Sequence, residues 1–243
     1  MTIQQYDTIG DAYVEFPQLP TGRLQLAALE SIIGALKGET VLDLACGTGF
    51  YCRKALEWGA SKAVGVDISA AMVDAARVCA NGNPNLEFHV ADCGKPIDVG
   101  QFDIVLAPWL LNYSRTESEL RDMWENIHRS LKPGGRIVGI SPNVHILEDL
   151  AAFPRGVQFG QGLEVVGGIG DGGLEVRVTL CTSTPFSFNN YYLPRVLYAR
   201  SCREVQLCDF RWESFAKPLL QDVDWVALLR CPPFRIFTAS RPL

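Results

Sequence analysis

VLDLACGTGF, residues 41–50, carries one acid, Asp43, along an apolar run and ends in a small turn with glycines at 47 and 49. An apolar run, a tight turn and then the helical pattern YCRKALEWG predict a strand, a loop and a helix in succession. Downstream the same alternation repeats as KAVGVD then SAAMVDAARVCAN, LEFHV, FDIVLAP then TESELRDMWENIHRSL, and GRIVGIS. Strand and helix alternating at this spacing predict an α/β fold with a doubly wound, mainly parallel sheet covered on both faces.

Upstream, TGRLQLAALESIIGALKGE places Leu24, Ala28, Ile32 and Leu36 on one stripe, with Thr21 as cap and Gly38 as stop, so a helix is expected to end just before Val41. Ser69 is placed to cap a second helix. Thr116 and Glu119 form a capping box ahead of the stripe Leu120, Trp124, Ile127 and Leu131. After Ser141 the rhythm changes: GLEVV and LEVRVTL flank the turn GGIGDGG and predict an antiparallel hairpin, an insertion after the fifth strand. Regular structure resumes with LPRVLYARSCREV as a helix, CDFRWESFA as a strand, DVDWVALLR as a helix and FRIFTASR as a final strand, which brings the main sheet to seven strands.

The 243 residues suffice for one large α/β domain. With 22 basic and 27 acidic residues the net charge is −5, without basic runs, so a nucleic-acid partner is not expected. The eight cysteines (46, 52, 79, 93, 181, 202, 208 and 231) show neither a CxxC pair nor Cys/His ligand spacing; they are expected to be reduced thiols, with no metal bound. The N-terminus lacks the basic and apolar regions of a signal peptide, and no apolar run approaches the ~20 residues of a membrane span. A cytoplasmic protein without a membrane partner is expected.

In a doubly wound sheet the first strand-to-helix turn is a usual ligand site. A dinucleotide fingerprint requires GxGxxG, but counting from Gly47 the third glycine position is Cys52, and the P-loop pattern GxxxxGK[ST] is absent. The acid Asp43, just ahead of the turn, suits a cationic ligand better than a polyanion. Asp67 ends the second strand, where an acid of this fold accepts hydrogen bonds from ribose hydroxyls. Asp92 follows the third strand.

The set VLDLACGTGF, VGVDIS, VADC, FDIVLAPWLLNY and LKPGG, in this order, resembles the class I S-adenosylmethionine-dependent methyltransferases, with their Rossmann-like fold, over about residues 1–141 and more weakly over the last forty. The resemblance implies one domain over 1–243: an N-terminal helical lid (1–38), a cofactor-binding core (39–141), the hairpin insertion over the substrate pocket (142–192) and a C-terminal completion of the sheet (193–243). It further implies that Asp43 organises the loop near the methionine amino group, lined by Ala45, Cys46, Gly47 and Gly49. By the same resemblance Asp67 holds the ribose, Ile68 and Met72 flank the adenine, Asp92 and the backbone of Cys93 meet its edge, and the Ala107 carbonyl receives the ammonium. YDTIGDAY looks like the family's mobile lid, in which Tyr6, Tyr13 and Arg23 would close over the cofactor, Arg23 as a fork for its carboxylate.

Each of these acids also has a plainer role, as a strand-end or turn acid, and Asp92 most of all. LKPGG is expected only to end a helix and turn the chain into the next strand. His89 and His128 fall within a strand and a helix. His145 lies just past the fifth strand, either as an ordinary loop histidine or as a base. Trp109, Asn112 and Tyr113 follow the fourth strand where an acceptor must approach; Phe186, Phe188, Tyr191 and Tyr192 either wall the substrate pocket or pack the hairpin.

The sulfonium is already an electrophile, so in-line displacement needs chiefly a nucleophile held at about 3 to 3.5 Å. His145 would be needed for a phenol or enol and not for a nitrogen with a free lone pair. APWL stands where the family's nucleic-acid and protein amino-group enzymes carry (D/N/S)PP(Y/F). That departure and the acidic charge imply a small, aromatic or heteroaromatic acceptor methylated on nitrogen or oxygen, as in natural-product tailoring, by a monomer or homodimer. The alternatives are a nicotinamide-dependent reductase, which the missing glycine opposes, and a protein of the same fold that binds the cofactor without methyl transfer.

Overall fold

The computed structural model describes residues 15–143, 159–214, 225–230 and 232–243. Helix α1 (Pro20–Ile33) begins with proline, whose fixed φ and missing N–H suit a first turn. It corrects two expectations. Thr21 lies inside the helix, fully buried, rather than capping it, and the helix stops at Gly34, where φ is 70°, not at Gly38. Helix α2 (Phe50–Glu57) follows the glycine turn. Helix α3 (Ala70–Ala80) is capped as expected, the Ser69 hydroxyl accepting from the Met72 N–H at 3.3 Å.

Helix α4 (Glu117–Ser130) is capped by Thr116, whose Oγ1 accepts the Glu119 N–H at 3.2 Å. The Glu119 carboxylate bonds the Arg115 N–H at 2.6 Å, one residue before the cap. Thr116→Ala should therefore cost ~1 kcal/mol of stability, read as a lower urea midpoint at unchanged slope.

The main sheet contains β1 (Thr40–Leu44), β2 (Lys62–Asp67), β3 (Leu86–Val90), β4 (Phe102–Pro108), β5 (Leu131–Pro142), β9 (Cys208–Glu213) and β10 (Phe234–Ser240). Their order is β3-β2-β1-β4-β5-β10-β9, with β1 to β5 parallel and β10 antiparallel to both neighbours. LKPGG falls within the span of β5, where the register with β4 breaks between Phe102 and Ile104 and the Gly134 N–H reaches the Arg241 carbonyl at 3.0 Å. The bulge absorbs the turn expected there.

Alternation along the strands sends side chains to two cores. Val41, Ile104, Leu106, Val138 and Ile140 meet Leu24, Ala28, Val73 and Ala76 on one face. On the other, Leu42, Leu44, Val105 and Ala107 meet Trp124 and Ile127 together with Leu197 and Tyr198 of α5 (Arg195–Glu204). The short α6 (Trp225–Arg230) precedes β10.

The expected hairpin is a three-stranded antiparallel sheet, β6 (Gln161–Gly168), β7 (Leu174–Leu180) and β8 (Phe186–Tyr192). The third strand, FSFNNYY, has an apolar face broken by an asparagine, which hid its alternation in the sequence. No helix among the described residues is long and apolar enough to cross a membrane. The seven described cysteines are free.

Candidate functional site

The strand order reverses between β1 and β4, so the loops leaving these two strands diverge to opposite faces and open a crevice at their carboxyl ends. A cleft of about 1070 Å³, its open mouth included, lies there. From the glycine turn it takes Ala45, Cys46, Gly47 and Thr48. The end of β2 and the start of α3 add Asp67, Ile68 and Met72, and the loop after β3 adds Cys93. From beyond β4 come Trp109, Leu110 and Tyr113.

Asp67 ties two of these segments together. One carboxylate oxygen accepts the Gly47 N–H at 2.8 Å and the other the Ser69 N–H at 2.9 Å, so the same side chain holds the glycine turn and the entry to α3. The Cys46 N–H meanwhile donates to the Val66 carbonyl at 3.0 Å. Ala45 and Gly47 both adopt positive φ, 63° and 52°. A Cβ at Gly47 would meet no atom within 4 Å, so the turn presents bare backbone to open space. Gly49 differs: at φ 70° its Cβ would strike the Phe88 ring at 2.6 Å, and its part is to let α2 pack on the sheet.

Asp43 lies behind the turn rather than in the cleft wall. Alternation turns it toward α2, where it is fully buried and the Cys52 thiol reaches one carboxylate oxygen at 3.7 Å. Its other oxygen has no hydrogen-bond partner among the described residues. Burial raises its pKa to about 8, the Cys52 hydrogen bond opposing only in part. The thiols beside it are held protonated, Cys46 by its hydrogen bond with Cys52 and by burial, Cys52 by burial; burial also raises the Cys93 thiol in the loop after β3.

Asp92 folds back on its own loop, accepting the Gly94 N–H at 2.9 Å, the turn role open to it in the sequence, and its side chain is absent from the cleft wall. Asn126 of α4 fastens this loop: its amide donates to the Cys93 and Lys95 carbonyls, both at 2.7 Å, and accepts the Ile97 N–H at 3.3 Å. Ala107 points into the core opposite α4, leaving only its backbone toward the strand end. Arg23 stays outside the cleft wall, to which its neighbour Gly22 contributes. The guanidinium that does line it belongs to Arg53, which donates to the Thr48 carbonyl at 2.7 Å. Tyr6, Tyr13 and His145 lie outside the described residues.

Trp109 adopts φ 65°, and its indole N–H donates to the buried Gln25 of α1 at 3.0 Å. It also lines a second cavity of about 310 Å³, its open mouth included, beneath the three-stranded sheet, where Phe188 is found as well. Tyr113 lines the first cleft, and the remaining expected pocket residues, Asn112, Phe186, Tyr191 and Tyr192, line neither cavity. Asn112 is fully buried in the turn Leu111–Tyr113 and lines neither cavity. Phe186 stacks on Phe188 at 6.1 Å, Tyr191 lies under the Arg115 guanidinium at 5.1 Å, and Tyr192 is buried. Strand alternation is the reason: Phe188, Asn190 and Tyr192 share one face, Tyr191 the other, and only part of the first face borders the cavity.

Arg53, Gln25, Asn126 and Phe16, the last lining both cavities, escaped the sequence reading. Of these, Arg53 alone carried a local signal, a cation in the first turn after the glycines.

A crevice of this shape at the switch point, walled by a glycine turn and a strand-end acid, defines a Rossmann-like cofactor domain of the methyltransferase type. Residues 41–135 match the family described as methyltransferase domain. Among curated proteins the chain is similar to the ribosomal protein L11 methyltransferase of Neisseria meningitidis serogroup C, 41% identical over 120 residues. That match takes in 49% of this chain but only 37% of the relative, so the chain spans little more than a third of the relative's length. Among solved structures it is similar in fold to the CcbJ methyltransferase of Streptomyces caelestis (TM-score 0.65, 18% identity, 100% of both chains). It is likewise similar to DhpI, solved in complex with SAH (TM-score 0.63, 19% identity, 99% of this chain and 95% of that one).

Proposed function

We propose that the protein is an S-adenosylmethionine-dependent methyltransferase acting on a nitrogen or oxygen of a small aromatic or heteroaromatic acceptor. The observation that carries this reading is the cleft itself: bare backbone at Gly47 and the Asp67 carboxylate stand on one side of a single crevice, and Trp109 at its far end leads into an apolar chamber. The residues present fit the cofactor. Asp67 would hold the ribose, Ile68 and Met72 the adenine with the Cys93 backbone at its edge, and the turn from Ala45 to Gly47 the amino-acid end. Arg53 is the cation in the wall suited to its carboxylate, the task the sequence had suggested for Arg23. A DhpI structure of the same fold was solved with SAH, which supports the assignment.

When bound, the cofactor supplies a sulfonium methyl group that is already electrophilic. The chain's own part is binding and orientation. Asp67 and Asn126 hold the segments that frame the cleft, while Gln25 and the left-handed backbone at Trp109 set the indole between the two cavities. The Tyr113 hydroxyl is kept protonated by burial, so it can donate a hydrogen bond at neutral pH but not act as a base. A phenolic or enolic acceptor would then call on His145; a nitrogen with a free lone pair would need no base.

The likeness to the L11 enzyme favours a second reading, a protein acceptor, although it is confined to about half of the chain. Calorimetry with S-adenosylhomocysteine and with NADH tests the first step: binding of the former alone is expected, and binding of NADH alone would overturn the reading in favour of a reductase. Labelled-methyl transfer to aromatic metabolites against transfer to ribosomal protein then separates the two acceptor classes. Asn126→Ala, by freeing the loop after β3, should weaken S-adenosylhomocysteine about fivefold in the same calorimetry; equal affinity would remove Asn126 as a positioning residue.

A further inference from the structure

The second cavity is a built chamber. Its floor is the inner face of the small sheet, Val178 and Leu180 of β7 and Phe188 of β8, and its roof is Phe16 and Trp109, which also line the first cleft. Two carboxamides enter this apolar space, Gln161 from β6 and Asn190 from β8, exposed by only 3% and 2%. The Asn190 carbonyl oxygen has no hydrogen-bond partner among the described residues. An unmatched buried acceptor costs ~1 to 3 kcal/mol, so a ligand that brings a donor to it recovers that loss. Among the described residues the wall holds no charged side chain, so an ammonium or carboxylate entering it would be stripped of water without compensation.

We propose that this chamber binds an uncharged, flat acceptor and that Asn190 selects it by accepting a hydrogen bond from an N–H or O–H group. Phe16 and Trp109 form the wall shared with the cleft, so the acceptor's reacting atom faces the cofactor past these two rings. The described wall offers a lysine ammonium no counter-charge, which disfavours the charged form at this position. This inference rests on the methyl-transfer reading for its consequence but not for its test.

Binding to the full chain of indole against 1-methylindole, and of 1-naphthol against 1-methoxynaphthalene, is measured by ligand-observed NMR titration with and without saturating S-adenosylhomocysteine. Each donor-bearing probe is expected to bind at least about tenfold more tightly than its methyl-capped partner. Asn190→Val, whose β-branched side chain suits a strand, should equalise each pair while leaving S-adenosylhomocysteine affinity within about twofold. Equal binding within each pair by the unmodified chain, no binding of either pair, or a donor preference that survives in Asn190→Val would overturn the proposal. The comparison on the unmodified chain decides the matter even if the variant does not fold. Failure of S-adenosylhomocysteine to bind, with donor preference intact, would instead sink the methyl-transfer reading and leave the chamber's selectivity standing.

Discussion

Asp67→Ala lowers the affinity for S-adenosylhomocysteine by about 100-fold or more, the loss expected when a carboxylate at a strand end can no longer accept from two ribose hydroxyls. The same substitution also frees the Gly47 and Ser69 N–H groups, each now bonded to one Asp67 oxygen. Part of the effect is therefore a loosened glycine turn. Asp67→Asn separates the contributions, because it keeps one acceptor and sets an amide donor against the other N–H; it should fall between the wild type and Asp67→Ala. Calorimetry gives the affinities and thermal unfolding in the absence of ligand gives the structural share. Unchanged affinity in Asp67→Ala would remove Asp67 from the ribose site.

Asp43→Asn makes the protein more resistant to unfolding at alkaline pH. Burial raises the Asp43 pKa from 3.8 to about 8, so between these values the folded chain retains a proton that the unfolded chain has lost. Stability then declines as pH rises across that window and levels off above it. At full ionisation the penalty is on the order of a few kcal/mol, since every tenfold change in proton affinity corresponds to ~1.4 kcal/mol. Asparagine has nearly the same shape and no ionisation, and its carbonyl can still accept from the Cys52 thiol. Urea unfolding at pH 5 and pH 8.5 should show a loss of stability in the wild type that the variant largely lacks. An identical pH dependence in both would mean that Asp43 is already ionised when folded.

These two acids were indistinguishable as strand-end residues in the sequence, one residue from the end of β1 and at the end of β2. The sheet separates them. Asp67 stands at the edge of the crevice with both oxygens engaged by backbone, whereas Asp43 is turned under α2 onto a thiol. A similar division applies to the pocket residues. Aromatic side chains drew the sequence reading to Phe186, Phe188, Tyr191 and Tyr192, yet the position on that strand with an unmatched polar atom in the cavity is Asn190. Nothing in FSFNNYY marks one asparagine over the other, because which face of a strand is covered depends on what packs against it.

Residue order alone was enough for the α/β alternation, the strand-turn-helix at 41–57, the caps at Ser69 and Thr116, and the set of residues around the glycine turn. All are properties of backbone conformation and of neighbours a few residues apart, which local residue types dictate. It took the folded chain to establish that Gln25 steers Trp109, that Arg53 rather than Arg23 faces the cleft, that Asn126 fastens the loop after β3, and that Phe16, Gln161 and Asn190 close one chamber. These depend on contacts between residues far apart in the chain. Burial, and with it the value of a charge or a hydrogen bond, exists only once those segments have come together.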